Sequence, residues 1–248
     1  MPGLARRELM TTHHERIGHH ETTSQPQHTP QEEHHPMTPA SATPTQQLER
    51  EQLEQEARVL LDRLMAQPPT AKDIATVNVQ LGRFPRGMVA VGARCVCGRP
   101  LAVLTRPLLP GGIPFPTTCY LTSPEAVKAV SHVEATGVMK QLNERLGEDA
   151  ELAQAYALAH QRYLVFRHEL AERLGDSEEH IAGISAGGMP TRVKCLHALL
   201  AQTLVMGHGA NPIGDMTLER IRDEFSPTVC RCTTVVDDEQ IERLSQER

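Results

Sequence analysis

The stretch GISAGGMPTRVKCLHALLAQTLVMGHGANPIGD, residues 183–215, is the densest cluster of special residues in the chain. Gly183, Gly187 and Gly188 permit positive φ or close approach by another group. Pro190 suits a first helical position, because its missing N–H has no partner there anyway. The spacing predicts a glycine loop followed by a helix from Pro190, with Arg192, Lys194, Cys195 and His197 in its first two turns and a stop at Gly207. A second turn, GANPIGD, then delivers Asp215 to the start of another helix. The run VKCLHALLAQTLVM is apolar nearly all round, as in a buried central helix.

A helix N-terminus carries unpaired N–H groups and about half a positive charge. Acidic residues belong there, yet this first turn holds Arg192 and Lys194. An anion in the loop would reverse the sign of that conflict, since N–H groups, dipole and cations would all point at it. The candidate anion site is therefore Gly187, Gly188, Arg192 and Lys194, with Asn211 and Asp215 of the NPIGD turn and with Arg83, Arg86 or Arg94 completing a ring. The alternative is two cations paired with nearby carboxylates, and an Asp215 that caps its own helix. The loop is not a Walker A motif, because Met189–Pro190 stands where Gly-Lys is required.

Cysteine offers two further chemistries. Cys95 and Cys97 lie two apart in an expected strand, so their thiols point the same way. Cys230 and Cys232 repeat the arrangement, and two such pairs make a candidate four-thiolate zinc site. The one-residue gap is tighter than the usual structural spacing, and buried inert cysteines are the alternative. Cys195, near a helix start and two cations, is a candidate nucleophile. Its neighbour His197 is a candidate base, but residues two apart on a helix point about 200° from each other. The pair can share an ion only if the helix begins after them. His160 or His208 is the other candidate base, although His160 also reads as a hydrogen-bonded core histidine between two tyrosines.

The remaining chain reads as one domain with extensions. Residues 1–45 have no hydrophobic period and carry seven of the thirteen histidines, so a disordered tail is expected. Residues 46–67 form an amphipathic helix ended by Pro68–Pro69, suited to packing on the domain or meeting a protein partner. Residues 70–228 form the domain proper. They comprise a helix at 71–81, strands near 88–95, 101–105 and 117–121, a Ser123-capped helix beginning at Pro124, and a long amphipathic helix at 150–174. Residues 229–248 hold the Cys-x-Cys segment and an acidic terminal helix. A formal charge of −6, no Trp, three Tyr and four Phe argue against nucleic-acid binding. No run approaches the roughly 18 apolar residues that span a bilayer, and no secretory signal is evident. Six cysteines in 248 residues do not suggest a disulfide scaffold, so a reduced, cytoplasmic protein is expected.

From about residue 77 to 215 the sequence resembles the bacterial, mainly actinobacterial, domain-of-unknown-function family 501. The resemblance is carried by QLGRFPRG at 80–87, RCVCG at 94–98, PFPTTCYLTSP at 114–124, AGGMPTRVKCLH at 186–197 and NPIGD at 211–215. It implies a compact intracellular bacterial domain of unassigned activity. Family genes often sit near those for a septum-formation initiator and an exopolyphosphatase. The family often carries His where this chain has Gln202. Cys230 and Cys232 lie outside the resemblance.

The expected fold is α+β: a small antiparallel sheet packed against a mainly helical core. The leading functional expectation is a pocket for a small anionic ligand. The alternatives are an adaptor or cell-division-associated interaction protein, and a structural zinc-binding domain. Whether the chain is an enzyme is left open.

Overall fold

The computed structural model describes residues 43–232 and 237–246. The expected disorder of residues 1–45 falls almost wholly on positions outside the described residues. Eight α-helices and five strands are defined within the described residues. Helix α1 (Pro44–Met65) starts on a Thr43–Gln46 capping box. Helix α2 (Ala71–Leu81) starts on a Thr70–Asp73 box and ends at Gly82 in the left-handed conformation.

Strands β1 (Met88–Arg94), β2 (Pro100–Thr105) and β5 (Cys119–Leu121) form an antiparallel sheet in the order β1-β2-β5. Its register sets Val91 opposite Val103 and Val103 opposite Tyr120. Every residue of the central β2 is buried. The proline- and glycine-rich connection after β2 contains a further small hairpin, β3 (Leu108–Leu109) with β4 (Ile113–Pro114). No hydrophobic alternation marks that hairpin, because two-residue strands are too short to show a period.

Helices supply most of the core. Ser123 caps α3 (Pro124–Ala135), and Gly137 in the left-handed region turns the chain into α4 (Val138–Glu148). Helix α5 (Ala150–Leu174) is capped by Asp149 and ended by Gly175. Its stripe of Tyr156, Ala159, Tyr163, Phe166 and Leu170 is wholly buried, as the alternating spacings of three and four require. Each of its large side chains contributes roughly 1.5–3 kcal/mol by leaving water. The polar ends are satisfied: Tyr163 Oη donates to the Pro116 carbonyl at 2.9 Å and accepts from Thr118 N at 2.6 Å. Arg167, 2 % exposed, bonds Glu178 and the carbonyls of Ile181 and Ile184, which fixes the loop leading to the glycine turn.

Helix α6 (Leu196–Met206) runs through the middle and α7 (Pro212–Arg220) crosses it closely. A Cβ at Gly214 would run into the Leu199 carbonyl and the Thr203 hydroxyl, so the crossing depends on that glycine. The terminal helix α8 (Asp238–Gln246) lies on α2, where Ile241 and Ala75 share a small apolar cluster with Val79 and Leu244. Among the described residues no helix is long and apolar enough to cross a membrane.

Three substitutions test this packing. Gly214→Ala should destabilise the fold by about 1–3 kcal/mol through overpacking, seen as a Tm several degrees lower. Gly147→Ala, in α4 with open space around it, should raise stability by up to about 1 kcal/mol. The third concerns His160, 7 % exposed, whose Nδ1 bonds Ser185 Oγ at 2.9 Å. Burial, with the Arg167 charge adding to it, holds its imidazole below the ordinary 6.5. The unfolded chain therefore binds this proton more readily than the fold does. The site's stability is full above the unfolded pKa and is lost as pH falls from there through the lower folded pKa. The Tm cost of His160→Gln should thus be largest near about pH 7.5 and should shrink by about pH 5.

Candidate functional site

The helix expected to begin at Pro190 begins instead at Leu196, with Cys195 as an extended N-cap at φ −153° and ψ 109°. The backbone groups that a helix would need are already taken. The Gly187 carbonyl accepts from Lys194 N at 2.7 Å and Cys195 N at 3.3 Å, and the Gly188 carbonyl accepts from Arg192 N at 3.1 Å. Asn143 of α4 grips Val193 twice, accepting from its N–H at 2.9 Å and donating to its carbonyl at 3.0 Å. Tyr156 Oη donates to the Arg192 carbonyl at 3.2 Å. The Met189–Pro190 peptide is cis. Gly188, at φ +96°, admits no side chain, because a Cβ there would strike the Arg192 carbonyl.

This late start changes the geometry of Cys195 and His197. Since Cys195 lies outside the helix, the 200° separation does not apply, and its Sγ sits 3.9 Å from His197 Nδ1. Glu134 of α3 reaches the same point, with Oε1 3.3 Å from His197 Nδ1. That oxygen also accepts from Leu196 N at 2.7 Å. The negative group at this helix start is therefore the protein's own carboxylate. His197 Nε2 faces the Val127 carbonyl and Ser131 Oγ, each at 3.2 Å. Ser131 gives its hydroxyl proton to Val127 O at 2.8 Å, so both neighbours of Nε2 are acceptors and Nε2 carries the hydrogen. The His197 interaction holds the Cys195 thiol below its ordinary range, and Cys195 followed by Glu134 raises the imidazole. Sequence reasoning missed Glu134 and Asn143. Neither stands in a motif, and Glu134 lies 62 positions from the residue it caps.

Cys195 and His197 open into a cleft of about 730 Å³, whose wall also includes Gln80, Tyr120, Thr122 and Lys128. Thr122 is buried and its hydroxyl has no hydrogen-bond partner; Gln80 Oε1 is likewise unpartnered. His160 does not line this cleft.

The second cluster is made of four thiols. Strand β1 ends at Arg94, so Cys95 and Cys97 lie in the β1–β2 turn rather than in a strand. Cys95 N donates to Arg99 O at 2.9 Å, and Gly98, at φ +88°, donates back to Cys95 O at 2.8 Å. The turn, not strand alternation, brings the two thiols together. Cys230 and Cys232 arrive from the segment after α7, held by Arg99 Nη1 donating to Cys232 O at 2.9 Å. One Sγ from each of the four residues lies within 4.8 Å of every other. Cys95 and Cys232 are buried, while Cys97 and Cys230 reach solvent.

The residues expected to ring an anion are distributed differently. Gly187, Gly188, Arg192 and Lys194 share the turn before α6, with both cations exposed. Arg94 is engaged by Asp73 at 2.6 and 3.1 Å and by the Gly98 carbonyl. Arg83 reaches Tyr120 Oη at 3.3 Å, and Arg86 is exposed. Asn211, not Asp215, caps α7, accepting from Ile213 and Gly214 N–H at 3.0 Å each. Its amide donates to Gln202 Oε1 at 2.8 Å. Asp215 ties the turn, accepting from Gly209 N at 2.8 Å and Thr203 Oγ1 at 3.1 Å, and orients no arginine.

Among known proteins, no curated protein and no solved structure gives a significant match. One family model does match, over residues 91–219, and its description reads Protein of unknown function (DUF501). The matched region takes in β2, β5 and the end of β1, the Cys95–Cys97 turn, most of the cleft wall and the Glu134–Cys195–His197 cluster; it leaves out Gln80 and stops short of Cys230. The chain belongs to the DUF501 family.

Proposed function

We propose that this chain is a structural zinc-binding domain in which Cys95, Cys97, Cys230 and Cys232 hold one Zn²⁺. The observation that carries this reading is the four Sγ atoms within 4.8 Å of one another. A tetrahedral zinc with thiolates at about 2.3 Å sets its sulfurs about 3.8 Å apart, inside that span. Four thiols from two distant segments converge on one point. Zinc would bind them as thiolates and displace the thiol protons.

The ion would fasten the C-terminal segment to the β1–β2 turn. The loop it closes includes most of the core, and a free segment carrying Cys232 and α8 would leave Ile241 without its apolar cover. Metal binding would then be folding energy, because the unfolded chain holds no such site. The Arg99 bond to Cys232 O and the Arg99–Asp238 ion pair position the same segment from the protein side.

Untagged protein measured by native mass spectrometry should carry zinc, and Cys95→Ser or Cys232→Ser should each lose one ion per chain. Chelation should lower Tm in the wild type and leave the Tm of either variant unmoved by this site. Metal-free protein with an unaltered Tm, or a mass loss matching a disulfide between these cysteines, would overturn the reading.

A further inference from the structure

We propose that Glu134, Cys195 and His197 form a second divalent-metal site, independent of the four-thiol cluster, with one coordination position open to the cleft and receptive to a small anion. Each of the three residues offers one ligand atom, and those atoms lie within 4.8 Å of one another. A tetrahedral zinc with sulfur at about 2.3 Å and imidazole nitrogen at about 2.0 Å places those two atoms about 3.5 Å apart. The observed Cys195 Sγ to His197 Nδ1 distance is 3.9 Å, and His197 Nδ1 to Glu134 Oε1 is 3.3 Å. A small contraction closes the set around one ion.

The surroundings orient the ligands as metal sites do. A ligating histidine donates its second ring N–H to a carbonyl or carboxylate, which fixes its tautomer. Here Nε2–H points at Val127 O and Ser131 Oγ, so the Nδ1 lone pair faces Cys195 and Glu134. Leu196 N donates to Glu134 Oε1 and holds the carboxylate still, and the same oxygen keeps a second lone pair for an ion. Cys195 is the N-cap of α6, where backbone N–H groups also favour a thiolate. All three ligands are partly exposed, so an ion can enter.

Three protein ligands leave a fourth position for water or a ligand, the arrangement of open rather than closed zinc sites. That position faces the cleft that Cys195 and His197 line together with Lys128 and Gln80. The ligand chemistry that fits is a small carboxylate or phosphate: one oxygen on the metal, a positive side chain in the wall. The anion receptor of this domain is then the metal in the cleft rather than Arg192 and Lys194 of the glycine turn. The rival arrangement, a metal-free Cys195–His197 ion pair serving as a nucleophile, is one outcome of the test.

The test counts metal in the full chain. Wild-type protein loaded with zinc and desalted should carry two ions by native mass spectrometry. His197→Gln and Cys195→Ser should each carry one, and Cys232→Ser should also carry one but lose the other ion. Should His197→Gln not fold, Glu134→Gln keeps an acceptor for Leu196 N and reads the same site. Cobalt(II) in the Cys232→Ser variant should give visible bands with one thiolate charge-transfer transition, and inorganic phosphate or acetate should shift them. Zinc should also slow alkylation of Cys195 by iodoacetamide. An unchanged ion count in His197→Gln and Cys195→Ser would overturn the site, and fast alkylation at an unchanged rate with zinc would assign the pair to nucleophilic chemistry instead. Cobalt bands indifferent to every anion tried would overturn the open position. Loss of the four-thiol ion alone bears only on the structural reading, so the two fail separately.

Discussion

The Gly187 carbonyl, accepting from both Lys194 and Cys195, is the constraint on which the cleft depends. It closes a turn that a helix would otherwise have occupied, and Asn143 locks the turn by consuming both backbone groups of Val193. The start of α6 is thereby delayed to Leu196. Had the helix begun at Pro190, Cys195 and His197 would face different sides and Glu134 would have no free N–H to cap. Backbone hydrogen bonding, more than side-chain identity, brings the three together.

The same logic governs the four-thiol cluster. There a tight turn with Gly98 at positive φ folds Cys95 and Cys97 toward each other, and Arg99 draws the chain near Cys232 against them. Both clusters join residues distant in sequence and put thiols beside groups they could share an ion with. In both, the polypeptide supplies the orientation, and in the proposals made above a metal ion balances the charge.

Much of the architecture was legible beforehand because it rests on local chemistry. The Thr70–Asp73 box, Ser123 before Pro124, and the stripe of Tyr156, Tyr163 and Phe166 each announce an element through spacing alone, and α5 spans residues 150–174 as its period requires. The site was less legible. Pro190 reads as a helix start because proline favours that position, and nothing nearby reveals that Asn143 and Tyr156 have claimed the backbone beyond it. Glu134 is one acidic residue on an amphipathic helix, indistinguishable in sequence from its solvated neighbours. The NPIGD turn was readable as a special turn, but its polar groups face inward, Asn211 to Gln202 and Asp215 to Gly209 and Thr203. Cysteine spacing located all four thiols without fixing why they meet, since a turn and a C-terminal return do what strand alternation was expected to do.

The central claim is that this chain places metal at two points fixed by its own folding, one closed and one open. Anomalous diffraction at the zinc edge, from crystals of the full chain purified without chelator, tests it most directly. The account predicts two peaks. One lies among Cys95, Cys97, Cys230 and Cys232, with sulfurs at about 2.3 Å; the other touches Cys195, His197 and Glu134, with a fourth ligand in the cleft that is not protein. Zinc-replete crystals with no peak at either cluster, and with the thiols free or joined in disulfides, would contradict it.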